Sequence, residues 1–412
     1  MSLGALGVFM CLFFALYFEV FLLISFLEKQ PTKKTVHRPR RYPTVTIVVP
    51  SFNEERTIGS TITSLLALEY PKDKLEIMVV DDGSTDKTGE VAKEYAAAHP
   101  QVSYFYKENG GKYTALNFAI ERCKSELIGC LDADSFAAPD ALMEVVKKFE
   151  ADKDAYAIMP AMKVHNPRSM LERMQAVEYT FGVFYKKMFD NIGGLNVLPG
   201  PFSFYRHSVF NKIGIFHHAH NTEDMEIAFR MHAHGLKIVN ADHAVVYTTV
   251  PRTVRALLKQ RVRWSQGFLE NSRDYAHMFF NPKYGNFGML VLPFGVMAFV
   301  LGLYTSAYTL ITMTQTVVNL VLDKWATQVP YQLTLPTTHV DWFFLNTSMM
   351  TFTIIAVTGS TIIAIILGNR IAQGKLTLFS LFSYFTLFGF IAPLWLARSV
   401  WGAARSRPAS WR

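Results

Sequence analysis

The rhythm of apolar residues divides the chain into three regions. From Leu3 to Leu27 mostly apolar residues run together, interrupted by Glu19, over a length that lets a helix cross a bilayer. No positive segment precedes this run and it is too long for a signal-peptide core, so a retained membrane helix is expected. From Thr44 to about Val250 short continuous apolar runs alternate with helical patterns. Val45 to Pro50, Leu75 to Val80 and Leu127 to Leu131 read as buried strands; Arg56 to Leu68, Asp86 to His99 and Tyr113 to Cys123 read as helices. This predicts an α/β domain with a mostly parallel sheet. In such sheets ligands bind beyond the carboxyl ends of the strands.

Beyond Pro251, residues Thr253 to Phe280 mix Arg and Lys with Leu, Val, Trp and Phe at helical spacing, the pattern of one or two amphipathic helices at a membrane surface. Gly288 to Leu322, Phe343 to Leu367 and Leu376 to Leu396 are three further spans, with Asp323 to Trp342 a polar loop. The expected organisation is a membrane helix within residues 1–30, an α/β domain over 42–250, and interface helices over 251–285. Three C-terminal membrane helices over 286–400 and a tail over 401–412 complete it.

Composition agrees with a mixed protein. Half the residues are hydrophobic and 18% charged, too apolar for an ordinary soluble enzyme and too charged for spans alone. The net charge of +8 comes with basic residues beside apolar segments, among them Lys29, Lys33, Lys34, Arg38, Arg40 and Arg41. That placement points to topology and anionic lipid rather than nucleic acid. It puts the N-terminus outside and the α/β domain in the cytoplasm, as do Arg370 and Lys375 between the last two spans; Arg398, Arg405, Arg407 and Arg412 run against the rule. Three cysteines, Cys11, Cys123 and Cys130, form neither a disulfide framework nor a C-x-x-C metal pattern.

The candidate chemistry falls at the strand ends. Asp132-Ala133-Asp134 follows the third strand; alternate carboxylates there suit a hard divalent cation or, in the bland alternative, a solvated turn. Asp81-Asp82-Gly83-Ser84 ends the second strand, where Asp82 is placed to accept from a base or ribose, or the segment is an Asx-type turn capping the next helix. Pro50, Asn53 and Glu54 follow the first strand and either face a nucleotide or cap a helix. Asn109-Gly110-Gly111-Lys112 brings Lys112 toward a phosphate or is a plain glycine turn; P-loop spacing is absent. In Thr222-Glu223-Asp224 the acids either cap a helix or supply a general base. His207, His217, His218, His220, His232, His234 and His243 show no zinc-ligand spacing. Gln260, Arg263 and Trp264 offer an arginine for a diphosphate and a flat face for a sugar ring, or an interfacial anchor.

The order of VVPSFNE, VVDDGSTD, NGGKYTALN, LDADS, NTEDMEIAFR and QRVRW resembles the family 2 glycosyltransferases of GT-A fold, over roughly Val45 to Asp274. Within them it is most similar to the membrane-embedded processive synthases, and most of all to poly-N-acetylglucosamine synthases, through Lys107 to Asn117 and Gln260 to Gly267. Hyaluronan, chitin and cellulose synthases are more distant. The resemblance implies an inverting β-transfer from UDP-N-acetylglucosamine, with Mg2+ or Mn2+ and export of the polymer. The alternatives are a hyaluronan- or chitin-type synthase, or a non-processive transferase acting on a lipid-linked acceptor. It also implies roles: Asp82 on the uridine, Asp132 and Asp134 at metal and diphosphate, and Asp224 as base. Glu223, Gln260, Arg263 and Trp264 would close over donor and acceptor. The implied partners are the UDP-sugar, the growing polysaccharide, the plasma-membrane bilayer and an accessory membrane subunit. Two features depart from the family: Leu198-Pro199-Gly200-Pro201-Phe202-Ser203 stands where a Ser-Gly start is common, and one span precedes the domain where many relatives have two.

Overall fold

A computed structural model describes residues 2–28, 39–328 and 348–405. Lys29, Lys33, Lys34, Arg38, Arg407 and Arg412, and most of the polar loop from Asp323 to Trp342, therefore lie outside the described residues.

The chain opens with α1 (Leu3–Glu28) and enters the α/β domain through β1 (Val45–Ser51), α2 (Ile58–Leu66), β2 (Leu75–Asp81) and α3 (Thr88–Ala98). There follow β3 (Val102–Tyr106), α4 (Lys112–Ile120), β4 (Leu127–Cys130), β5 (Ser135–Ala137), α5 (Ala141–Ala151), β6 (Ala155–Val164) and α6 (Met170–Asn191). The domain closes with β7 (Ser203–Arg206), α7 (Ser208–Ile213), α8 (Glu223–Ala233) and β8 (Lys237–Thr248). Beyond it lie α9 (Val254–Asp274), α10 (Leu292–Thr327), α11 (Met349–Ile371) and α12 (Leu378–Ala404).

Eight strands form one sheet in the order β3-β2-β1-β4-β7-β6-β8-β5. The first four are parallel neighbours. β7 and β5 run antiparallel to their neighbours, while β6 and β8 pair in parallel. Every residue of β1 is buried, as expected of a parallel strand covered on both faces. Alternation divides it: Val45, Ile47 and Val49 join α2 and α5 in one core, while Val48 joins α4, α7 and α8 in the other.

α6 connects the domain to the apolar helices. Ser169 and Glu172 form a reciprocal capping box at its start, satisfying two otherwise unpaired helix N–H groups. Leu171, Met174 and Val177 pack with Leu257 and Leu258 of α9, Ile365 of α11 and Trp395 of α12. Phe184 and Met188 meet Leu22 of α1 and Ala364 of α11. Among the described residues four helices are long and apolar enough to cross a membrane: Leu3–Glu28, Phe287–Thr327, Met349–Ile371 and Leu378–Ala404. The second includes a π-helical turn, Phe287–Val291, ahead of α10. Glu19, the one acid in the first apolar run, is hydrogen-bonded by Ser360, Thr361 and Tyr185, which ties α1 to α11 and α6.

The Thr253 to Phe280 segment is one helix followed by short 3-10 turns. The polar side of α9 meets protein: Arg261, Gln266, Glu270 and Asn271 are all buried.

Candidate active site

Parallel pairing aligns the carboxyl ends of β1, β2 and β4, with Asp82 N–H donating to Ser51 O over 2.8 Å and Leu131 N–H to Val48 O over 2.9 Å. The acids that stop these strands therefore project into one cavity of about 620 Å³. Pro50, Glu54, Asp82, Lys112, Asp132, Asp134, Glu223, Asp224, Gln260, Arg263 and Trp264 all line it. Asn53 does not. Its φ is 55°, its N–H donates to Ser84 Oγ and its Oδ1 accepts from Thr85 N–H over 2.9 Å, so it ties together the loops after β1 and β2.

Asp82 is already a structural acceptor. Its Oδ1 takes Lys107 Nζ at 2.5 Å and Gly110 N–H at 3.0 Å, and its Oδ2 takes Gly111 N–H at 2.8 Å. The N–H groups of Gly110 and Gly111 are thus turned onto a carboxylate. Gly83, with φ of 79°, lets this loop close, since a Cβ there would lie 2.8 Å from Asn109 N. The Asx-type reading also holds: Ser84 N–H donates to Asp81 Oδ1, and Asp86 Oδ1 accepts from Thr88 N–H at the start of α3.

Lys112 stands at the centre of the charge. Its Nζ is 2.5 Å from Asp132 Oδ1 and 3.5 Å from Glu223 Oε1. Burial disfavours the ammonium, but Asp132 and Glu223 outweigh it and raise its pKa above the ordinary lysine value. Gly200, in the loop that departs from the family pattern, presses on this pair: a Cβ there would fall 2.2 Å from Lys112 Nζ. Burial, then repulsion from Asp132, pushes Asp134 up to about 6, while its Oδ1 accepts from Ser135 Oγ. Burial, then Glu223, pushes Asp224 up to about 6 against Lys112 and Arg263. Thr222 does not cap α8; its hydroxyl donates to Ala219 O and accepts from Asn271 Nδ2.

The sequence reading overlooked α6 and Arg261. Glu178, Gly182 and Lys186 line the cavity at four-residue steps, with Tyr179 beside them, so one face of α6 forms a wall. Burial draws the Lys186 ammonium down to about 8, with Asp224 opposing. The Arg261 guanidinium lies 4.3 Å from the Trp264 ring centroid and bonds Glu178 at 2.8 Å and Gln260 at 2.6 Å. The capping box before α6 and the three-residue step from Arg261 to Trp264 were the available signals.

Among the described residues no three or more His, Cys, Asp or Glu are spaced to hold a metal ion. His232 is structural: it bonds Leu195 O at 2.7 Å, stacks on Phe287 with centroids 4.0 Å apart, and burial pulls it down to about 4.

A sheet covered on both faces gathers acids at its strand ends, where ligands bind in such folds, and meets apolar helices through α6. Residues 46–214 match the family described as glycosyl transferase family 2. It is 27% identical over 265 residues to the poly-beta-1,6-N-acetyl-D-glucosamine synthase of Staphylococcus epidermidis, covering 62% of this chain and 64% of that protein. It is 31% identical over 224 residues to the synthase of the same name from Staphylococcus aureus, covering 54% of each. The aligned stretch thus spans less than two thirds of the length of these curated relatives. The fold also matches a mannosyltransferase from Pyrobaculum calidifontis solved in complex with GDP-Man and Mn2+, with a TM-score of 0.62 at 18% identity over 98% of this chain and 100% of that one.

Proposed function

We propose that the chain is an inverting, processive β-glycosyltransferase that polymerises N-acetylglucosamine from UDP-N-acetylglucosamine and passes the polymer across the membrane. The observation that carries this reading is a single cavity. It brings strand-end acids, the half-buried carboxylate of Asp224 and the Gln260-Arg263-Trp264 face of α9 together against α6, which packs on helices long enough to span a bilayer. The names of the relatives supply the polymer class.

In this mechanism an acceptor hydroxyl sits between Asp224 and the anomeric carbon of the donor. Asp224, charged at neutral pH with a pKa of about 6, takes the hydroxyl proton as oxygen bonds to carbon and the bond to UDP breaks. UDP leaves with the bonding electrons and the anomeric configuration inverts, so one base suffices. Arg263 is suited to diphosphate oxygens and Trp264 to the face of a sugar. Asp134, raised by burial and then by the neighbouring Asp132 carboxylate, fits a divalent ion held partly by protein, with Asp132 and Asp134 as its ligands. When bound, Mg2+ or Mn2+ would supply positive charge against the departing diphosphate.

The same packing supports a cytoplasmic domain. Ala372, at the end of α11, is buried against Ala161 of β6 and Val183 of α6, so the loop carrying Lys375 lies on the same side as the domain. With Arg370 and Lys375 there, that side is the cytoplasm.

Membranes containing the chain, incubated with Mg2+ or Mn2+ and a panel of labelled UDP-sugars, test the reading. Label from UDP-N-acetylglucosamine should enter a long product. A single-sugar lipid product, or incorporation from another donor alone, refutes it.

A further inference from the structure

Ala219, His220 and Asn221 have φ values of 42°, 55° and 60°, three consecutive left-handed residues without a glycine. Side chains with a Cβ enter that region against a steric cost, so such a run persists only where its surroundings over-determine it. It leads directly into Thr222-Glu223-Asp224.

The restraints come from α9. Asp274 Oδ2 lies 2.8 Å from His220 Nε2, and Glu270 Oε2 lies 3.5 Å from Nδ1. Asn271, between those acids, donates to Thr222 Oγ1 at 2.9 Å. Arg263 Nη1 donates to Asn221 O at 3.4 Å. Gly267 permits this closeness, because a Cβ there would lie 2.3 Å from Thr222 Cγ2. Glu270 is itself held by Gln266 at 2.9 Å, and Gln266 lies against Gly402 of α12.

We propose that His220 is a positioning residue for transfer: its ring, held between Glu270 and Asp274, keeps residues 219–221 on the left-handed path that sets Asp224 in the cavity. The base and the Arg263-Trp264 helix then move as one body. This rests on the reading of Asp224 as the general base.

The test uses the full-length enzyme in lipid nanodiscs with UDP-N-acetylglucosamine. His220→Ala should lower kcat about ten- to a hundredfold, the scale of a roughly 1 Å misplacement, with KM for the donor within about twofold of wild type. His220→Gln, which keeps a donor toward the α9 acids, should recover part of the loss. The decisive variant is His220→Ala with Ala219→Gly, because glycine enters the left-handed region freely and should restore part of kcat. Should His220→Ala fail to fold, Asp274→Asn is read in the same assay and should also lower kcat without raising KM. Unchanged kcat, or a loss that Ala219→Gly leaves untouched, overturns the proposal. Asp224→Asn separates the two readings. If it keeps turnover, the base assignment fails and the positioning role falls with it; if it is inactive while His220→Ala is fully active, the positioning role alone fails.

Discussion

Gly200→Ala is expected to inactivate the enzyme while leaving it folded. The added Cβ would lie 2.2 Å from Lys112 Nζ and 2.7 and 2.8 Å from the two carboxylate oxygens of Asp132. Ordinary contact begins near 3.5 Å, so the pair must retreat by about 1 Å. The φ of Gly200 is not in the left-handed region, so alanine meets no backbone obstacle and sterics alone decide. Lys112 has little freedom to move, since it is held 2.5 Å from Asp132 and 3.5 Å from Glu223. Overpacking of this kind costs about 1–3 kcal/mol of stability, and a displacement of about 1 Å at reacting groups costs about a hundredfold in rate. Initial rates of UDP release give kcat and KM, and differential scanning fluorimetry gives the melting temperature. A Gly200→Ala enzyme within about twofold of wild-type kcat would refute the close approach of this loop to the Lys112–Asp132 pair.

Asp224→Asn should lower kcat by about 10²–10⁴-fold and raise the melting temperature at pH 7.5. A carboxyl whose folded pKa of about 6 exceeds its unfolded value, about 3.9, costs stability that is absent below pH 4 and complete above pH 6. A gain at pH 4 equal to that at pH 7.5 would count against this account. The acid limb of kcat/KM should lie near pH 6, and Glu223→Gln should move it lower because Glu223 raises Asp224; a shift to higher pH contradicts the assignment. Arg261→Lys should lower kcat about tenfold, because an ammonium cannot keep the stack on Trp264 together with the Glu178 and Gln260 bonds; full activity would show that Trp264 needs no such support.

How far the site could be read depended on how local its causes are. β1, β2 and β4 were legible because strands covered on both faces show as unbroken apolar runs, and the acids that stop them must lie at the ligand-binding edge. The other half of the sheet was not. β5 and β7 have three and four residues, and β7 pairs with β4 across a long stretch of chain, Leu127 opposite Arg206, so no local period announces them. Asn53 stayed open in the sequence because a strand-end amide serves a loop as readily as a nucleotide, and its bonds to Ser84 and Thr85 depend on where the loop after β2 comes to lie. The Lys186 wall and the His220 clamp lie beyond sequence reading for the same reason. Each depends on where a helix from another region comes to rest, α6 against the apolar helices and α9 against Thr222. The strand-end groups therefore come largely from local signals, whereas Lys186 and His220 owe their places to packing between the domain and helices from other parts of the chain. Substitutions at Gly267 or Gly402, outside the first group of motifs, should on this view disturb Asp224 more than its own neighbours in sequence suggest.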